Sequence, residues 1–126
     1  MLIIDKYGSI PIYEQIIDGI EKEILHGMLC EGDAISSVRE LSVQLGINPN
    51  TIQKAYIELD RRGVIFPTPR GSFVREGAVS VIRENVRKKM YDLRGMLSEL
   101  RLAGVSAQEL YHEIDMMYQT KEDVSV

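Results

Sequence analysis

Residues 36–74 read SSVRELSVQLGINPNTIQKAYIELDRRGVIFPTPRGSFV. Their punctuation predicts two short helices, a tight turn between them and a two-stranded wing. Ser37 caps the first helix, and Glu40, three residues on, reaches back to complete a capping box. Val38, Leu41 and Leu45 share one face at helical spacing. Gly46 stands where a helix ends in a left-handed residue, and Ile47 is the apolar residue of the turn. Asn48 caps the next helix. Pro49 suits its first position because that amide has no partner inside the helix. Ile52, Ala55, Tyr56 and Leu59 form the buried stripe, which makes Tyr56 a core residue rather than a base-stacking platform. Gly63 ends the helix. Two short helices joined through a glycine turn are the signature of a helix-turn-helix.

The outer face of the second helix carries Asn50, Thr51, Gln53 and Lys54. Amides suit adenine edges, a hydroxyl suits several bases, and an ammonium suits phosphate or guanine. Val64-Ile65-Phe66 and Phe73-Val74 read as the strands of the wing, with residues 67–72 as a stiff loop. Arg70 and Gly71 stand at its tip, and an arginine on a thin loop can enter a minor groove. Arg61 and Arg62 lie in the last turn of the helix, where cations complement its dipole.

This stretch resembles the amino-terminal domain of the GntR family of bacterial transcription regulators. The family pattern runs Pro-Ser-x-Arg-x-Leu, Gly-Val-Ser/Asn-x-x-Thr-Val, x-x-Ala-x-x-x-Leu, Gly-x-Gly-x-Phe-Val. Here Ser37, Arg39, Leu41, Gly46-Ile47-Asn48, Thr51-Ile52, Ala55, Leu59, Gly63 and Gly71-Ser72-Phe73-Val74 match it in order and spacing. Two positions depart: Ser36 replaces the usual proline, and Pro69 replaces the first wing glycine. The resemblance implies a winged helix-turn-helix in which Arg39 faces DNA. Its candidate DNA contacts are Ser37, Arg39, Asn48, Asn50, Thr51, Gln53, Lys54, Arg70 and Gly71. It also implies a short strand near Ala34-Ile35 that pairs with the wing.

Upstream, Pro11 opens a helix that runs to about Leu25. Ile16, Ile17, Ile20 and Ile24 line one face and Glu14, Asp18, Glu21 and Glu23 the other. Downstream, Arg75-Glu76-Gly77 marks a boundary. Residues 1–76 are expected to form the winged domain and residues 77–126 a helical region. A single long helix is expected over 79–103, because Ile82, Val86, Met90, Leu93, Met96, Leu97 and Leu100 recur at steps of three and four. Such a helix spans ~36 Å, and the remaining chain is too short to cover its stripe. Ile82, Val86, Met90, Leu93, Leu97 and Leu100 therefore predict packing on a second copy. Ser106 and Glu109 form another capping box, and a last helix runs to about Tyr118. The tail KEDVSV, residues 121–126, reads as polar and frayed. GntR members with so short a helical tail form the YtrA-like subfamily, whose resemblance implies dimerisation through the tail and repression of nearby genes.

With 126 residues and 44% hydrophobic composition, the chain suits one mainly α (α+β) domain plus an appendage. No apolar run reaches the ~20 residues of a membrane span. The amino terminus has no signal-peptide pattern, and Cys30 stands alone; a cytoplasmic protein is expected. The net charge of −4 argues against an unspecific nucleic-acid binder. Residues 35–75, however, hold six cations (Arg39, Lys54, Arg61, Arg62, Arg70, Arg75) and three acids (Glu40, Glu58, Asp60), a net +3. A local basic face on an acidic chain is the footprint of a focused phosphate contact. His26 and His112 have no metal-ligand spacing, and no catalytic motif is present. No enzyme activity, metal or cofactor is expected. The expected partners are double-stranded DNA and a second copy, as in a repressor on a palindromic operator. Two alternatives stay open: a winged-helix protein-interaction module, and a regulator with a small-molecule effector held between the tail helices.

Overall fold

The structure is a computed structural model and describes residues 2–120. Its elements run α1 (Ile12–Leu25), α2 (Val38–Leu45), α3 (Pro49–Arg61), β1 (Ile65–Thr68), β2 (Gly71–Val74), α4 (Ala78–Arg87), α5 (Met90–Leu102) and α6 (Ala107–Gln119). The chain divides into two units after Ile82.

In the first unit the local signals operate as the sequence implies. Ser37 Oγ accepts the Glu40 N–H at 3.0 Å, and Glu40 Oε1 accepts the Ser37 N–H at 3.0 Å. The Ser37 bonds hold the Glu40 carboxyl below its ordinary range. Gly46 turns the chain at φ 64°, a conformation that costs glycine nothing. Asn48 Oδ1 accepts the Asn50 N–H at 2.8 Å, and Pro49 opens α3. The Ser42 hydroxyl donates to the Ile47 carbonyl at 2.5 Å, so α2 grips the turn it leads into.

These ends set the helix angles, and one core fills the space between them. Ile16, Ile17, Ile20 and Ile24 of α1 meet Leu41, Ile47, Ile52, Ala55, Tyr56 and Leu59. Val64, Ile65 and Val74 close it from the wing side. Each fully buried isoleucine or leucine contributes ~1.5–3 kcal/mol over its exposed state. β1 and β2 pair antiparallel, Ile65 opposite Val74 and Thr68 opposite Gly71. The wing loop is therefore tighter than the expected six residues, and only Pro69 and Arg70 lie between the paired ends. The strand expected near Ala34-Ile35 is a single bridge, Ala34 to Phe73. The Ile35 N–H donates to Ser72 O (3.0 Å) and the Val74 N–H to Asp33 O (2.8 Å) on either side of it.

Two expectations need correction after the wing. The helix expected over 79–103 is two helices, α4 and α5, separated at Lys88-Lys89. There the Lys89 and Tyr91 N–H groups bond the carbonyls of Val86 and Lys88, a three-residue spacing tighter than that of an α-helix. Arg87, Lys88 and Lys89 place three consecutive cations at this point, and no buried side chain anchors them. The boundary also moves from 76/77 to 82/83, because Ala78 and Ile82 are fully buried in the first unit's core. Ile82 therefore leaves the stripe assigned to dimerisation. The Glu31 carboxylate fixes the start of α4 by accepting the N–H groups of Gly77 (2.8 Å) and Val79 (3.2 Å). Those bonds hold its pKa below the ordinary carboxylate value.

The second unit contains the end of α4, α5 and α6. Ser106 and Glu109 form the expected capping box at the start of α6. Neither α5 nor α6 buries a residue. The tail KEDVSV expected to fray lies outside the described residues.

Candidate nucleic-acid interface

The first unit sorts the six cations of residues 35–75 into two sets. Arg61 grips Glu58 through two hydrogen bonds, 2.7 and 2.6 Å. Arg62 bonds Glu58 at 2.8 Å and reaches Glu21 of α1 at 3.3 Å. The guanidinium groups of Arg61 and Arg62 hold the Glu58 carboxyl down at about 2. Arg75 pairs with Asp60 at 3.5 Å and lies over the Phe66 ring, which stacks on Phe73. Arg62 thus ties the end of α3 to α1 and Arg75 ties α3 to the wing, while Arg61 is neutralised within α3.

Arg39, Lys54 and Arg70 are exposed and make no ion pair among the described residues. One stands in the first turn of α2, one midway along α3 and one at the wing tip. The net positive charge of the segment is thus carried, in unneutralised form, by the three elements of the motif. Unpaired exposed cations keep their full attraction for a phosphate, whereas paired ones must first break a contact.

Asn50 and Gln53 are exposed on α3, and Thr51 is half-exposed. None of their side chains is engaged elsewhere in the described structure, and amides free on an exposed helix face suit base edges. Ser37 and Asn48 are partly committed, since each caps its helix through its side-chain oxygen. The Ser37 hydroxyl hydrogen and the Asn48 amide hydrogens remain as donors. At the wing tip, Thr68 Oγ1 accepts the Arg70 N–H (3.1 Å) and donates to Gly71 O (2.8 Å). Gly71 has φ 124°, which a side chain at this position would oppose. Arg70 therefore projects from a stiff turn.

Tyr56 is core, as expected: its hydroxyl donates to the Ser36 carbonyl at 2.5 Å, and burial raises its pKa above the usual phenol range. Two contributions to the site escape a reading along the chain. Lys54 Nζ lies 3.9 Å from the centroid of the Tyr13 ring on α1. Lys6, in the arm before α1, donates to the Gly46 carbonyl at 3.2 Å and supports the turn from outside. Both join residues far apart in sequence, and neither carries a local motif.

A recognition helix with free amides, flanked by a basic wing, defines a winged helix-turn-helix DNA-binding domain. Residues 12–74 match the family model for bacterial regulatory proteins of the gntR family. The chain belongs to the GntR family and is a DNA-binding transcription regulator, with the short helical tail of its YtrA-like members. It is 37% identical over 116 residues to the HTH-type transcriptional repressor YtrA of Bacillus subtilis (strain 168), covering 90% of this chain and 89% of the relative. The crystal structure of a transcriptional antiterminator from Listeria monocytogenes EGD-e matches with a TM-score of 0.77 at 32% identity, over 94% of this chain and 90% of that one. AraR(DBD) in complex with operator ORX1 matches with a TM-score of 0.53 at 28% identity, over 58% of this chain and 95% of that one. Among the described residues, no helix is long and apolar enough to cross a membrane.

Proposed function

We propose that the chain is a homodimeric repressor that reads a palindromic operator with α3 and clamps the flanking backbone with Arg39, Lys54 and Arg70. The observation that carries this reading is the sorting of the cations: three are ion-paired, and three, on α2, α3 and the wing tip, make no ion pair among the described residues. Asn50 and Gln53 read base edges, while Ser37, Asn48 and Gly71 place backbone and cap donors against phosphates.

Dimerisation rests on the second unit. Val86, Met90, Leu93 and Leu100 are 38–58% exposed, and Leu97 is half-buried. Tyr111, Ile114 and Met117 of α6 are similarly open. Monomers rarely leave so many large apolar side chains in water. A second copy of the same helices covers them and brings two recognition helices to one duplex, with half-sites about one helical turn (~34 Å) apart or a multiple of it. A dimer bound there occludes a promoter. A YtrA repressor of similar length supports the repressor reading, and the AraR complex supports the operator partner.

Selection from a random duplex pool, with sedimentation of the free protein, tests both parts. The expected result is a palindromic consensus and a dimer. Recovery of no consensus would overturn the reading.

A further inference from the structure

We infer that Tyr13 is a positioning residue for DNA binding: its ring holds the Lys54 ammonium where a phosphate oxygen reaches it. The inference rests on the reading that α3 meets DNA, and it assigns a role to a residue of α1 outside the helix-turn-helix.

Tyr13 is the second residue of α1 and is half-buried. Behind it Ile16, Ile17 and Ile20 are buried against the core, so the ring is mounted on a fixed helix. Its hydroxyl donates to Glu14 Oε1 at 3.3 Å. The ring face carries Lys54 Nζ at 3.9 Å from the centroid, well inside the ~6 Å range of cation–π attraction. Lys54 remains exposed and has no carboxylate partner among the described residues.

A lysine is a point charge on a flexible four-carbon stem, and pinning it on a phosphate costs rotamer freedom. The Tyr13 ring removes part of that freedom before DNA arrives. The contact occupies one side of the ammonium, and an ammonium has three donors. Lys54 can therefore stay on the ring and donate to an oxygen together. A tethered cation serves as a phosphate clamp at one fixed place rather than as a roaming base reader. Base discrimination is left to Asn50 and Gln53.

The first measurement needs no variant. In the free wild-type protein the Lys54 ε-methylene protons resonate upfield by the ring current, and an unshifted resonance overturns the inference. The second is fluorescence anisotropy on a duplex recovered by selection with the wild-type chain. Tyr13→Leu raises Kd about two- to five-fold, the range of an exposed cation–π contact. Tyr13→Phe, which keeps the ring, binds like wild type. In a Lys54→Met background Tyr13→Leu changes nothing further, because its partner is gone. A Tyr13→Leu penalty that persists in that background marks a structural role and overturns the inference, as does unaltered binding by Tyr13→Leu. If Lys54→Met itself binds like wild type, Lys54 has no part in the interface and the inference falls while DNA binding stands. If the wild-type chain recovers no duplex, the proposed function falls with it.

Discussion

The two units use the same apolar residue types in opposite ways. In the first, Ile16, Ile24, Ile52, Leu59 and Ile82 are 0–2% exposed. In the second, Met90, Leu93, Met96 and Leu100 are 38–58% exposed, and neither α5 nor α6 buries a residue. Both stretches show helical periodicity. The difference teaches that a stripe records the need for a cover and leaves open which surface provides it. The first unit covers its own stripes with α1–α3 and the wing. The second, on the present reading, is covered by another copy.

The sharpest way to break that contrast is to charge the open stripe. Leu93→Glu with Leu100→Glu is expected to give a folded monomer in sedimentation and to weaken operator binding ~100-fold or more, since avidity between linked sites is lost. An unchanged dimer would remove the contrast. Truncation within the closed core should act on stability instead: Leu59→Ala is expected to cost ~2–5 kcal/mol in urea unfolding. Met96→Ala, of similar size, is expected to leave the first unit's transition within ~0.5 kcal/mol. Within the first unit, Asn50→Ala or Gln53→Ala is expected to lose ~1–3 kcal/mol of discrimination between duplexes, read by competition anisotropy.

The smallest effect concerns the paired cations. Glu58 has a folded pKa of about 2, below its ordinary 4.5. A depressed carboxyl pKa contributes stability that is present above pH 4.5 and lost as pH falls toward 2. Acid titration of wild type should show that loss, and Glu58→Gln should show a shallower one. Equal acid profiles would mean that Arg61 and Arg62 do not stabilise α3 through Glu58.

What was legible in the sequence was chemistry that acts over a few residues. Ser37 and Glu40, Gly46, Asn48 and Pro49 each specify a helix end within one turn of chain. The core stripe of α3 and the identity of the wing strands followed from the same local patterns. The break at Lys88-Lys89 was hidden because the apolar spacing of Val86, Met90 and Leu93 runs straight through it, with no glycine or proline at that point. The destination of Ile82 was hidden because both covers suit its spacing. The Glu31 cap and the packing of Ala78, Val79 and Val81 place the start of α4 on the first unit. At the site, residue types named the six cations, but only the fold separated the three paired ones from the three open ones. That separation depends on Glu58, Glu21 and Asp60, which pair with Arg61, Arg62 and Arg75.

The central claim is that phosphates neutralise Arg39, Lys54 and Arg70, which make no ion pair among the described residues. Its most direct test is the salt dependence of Kd on a selected duplex, for wild type and for Arg39→Gln/Lys54→Gln/Arg70→Gln. Three lost phosphate contacts predict a slope of log K against log salt that is shallower by about 2.7 per protomer. An unchanged slope in the folded variant would contradict it.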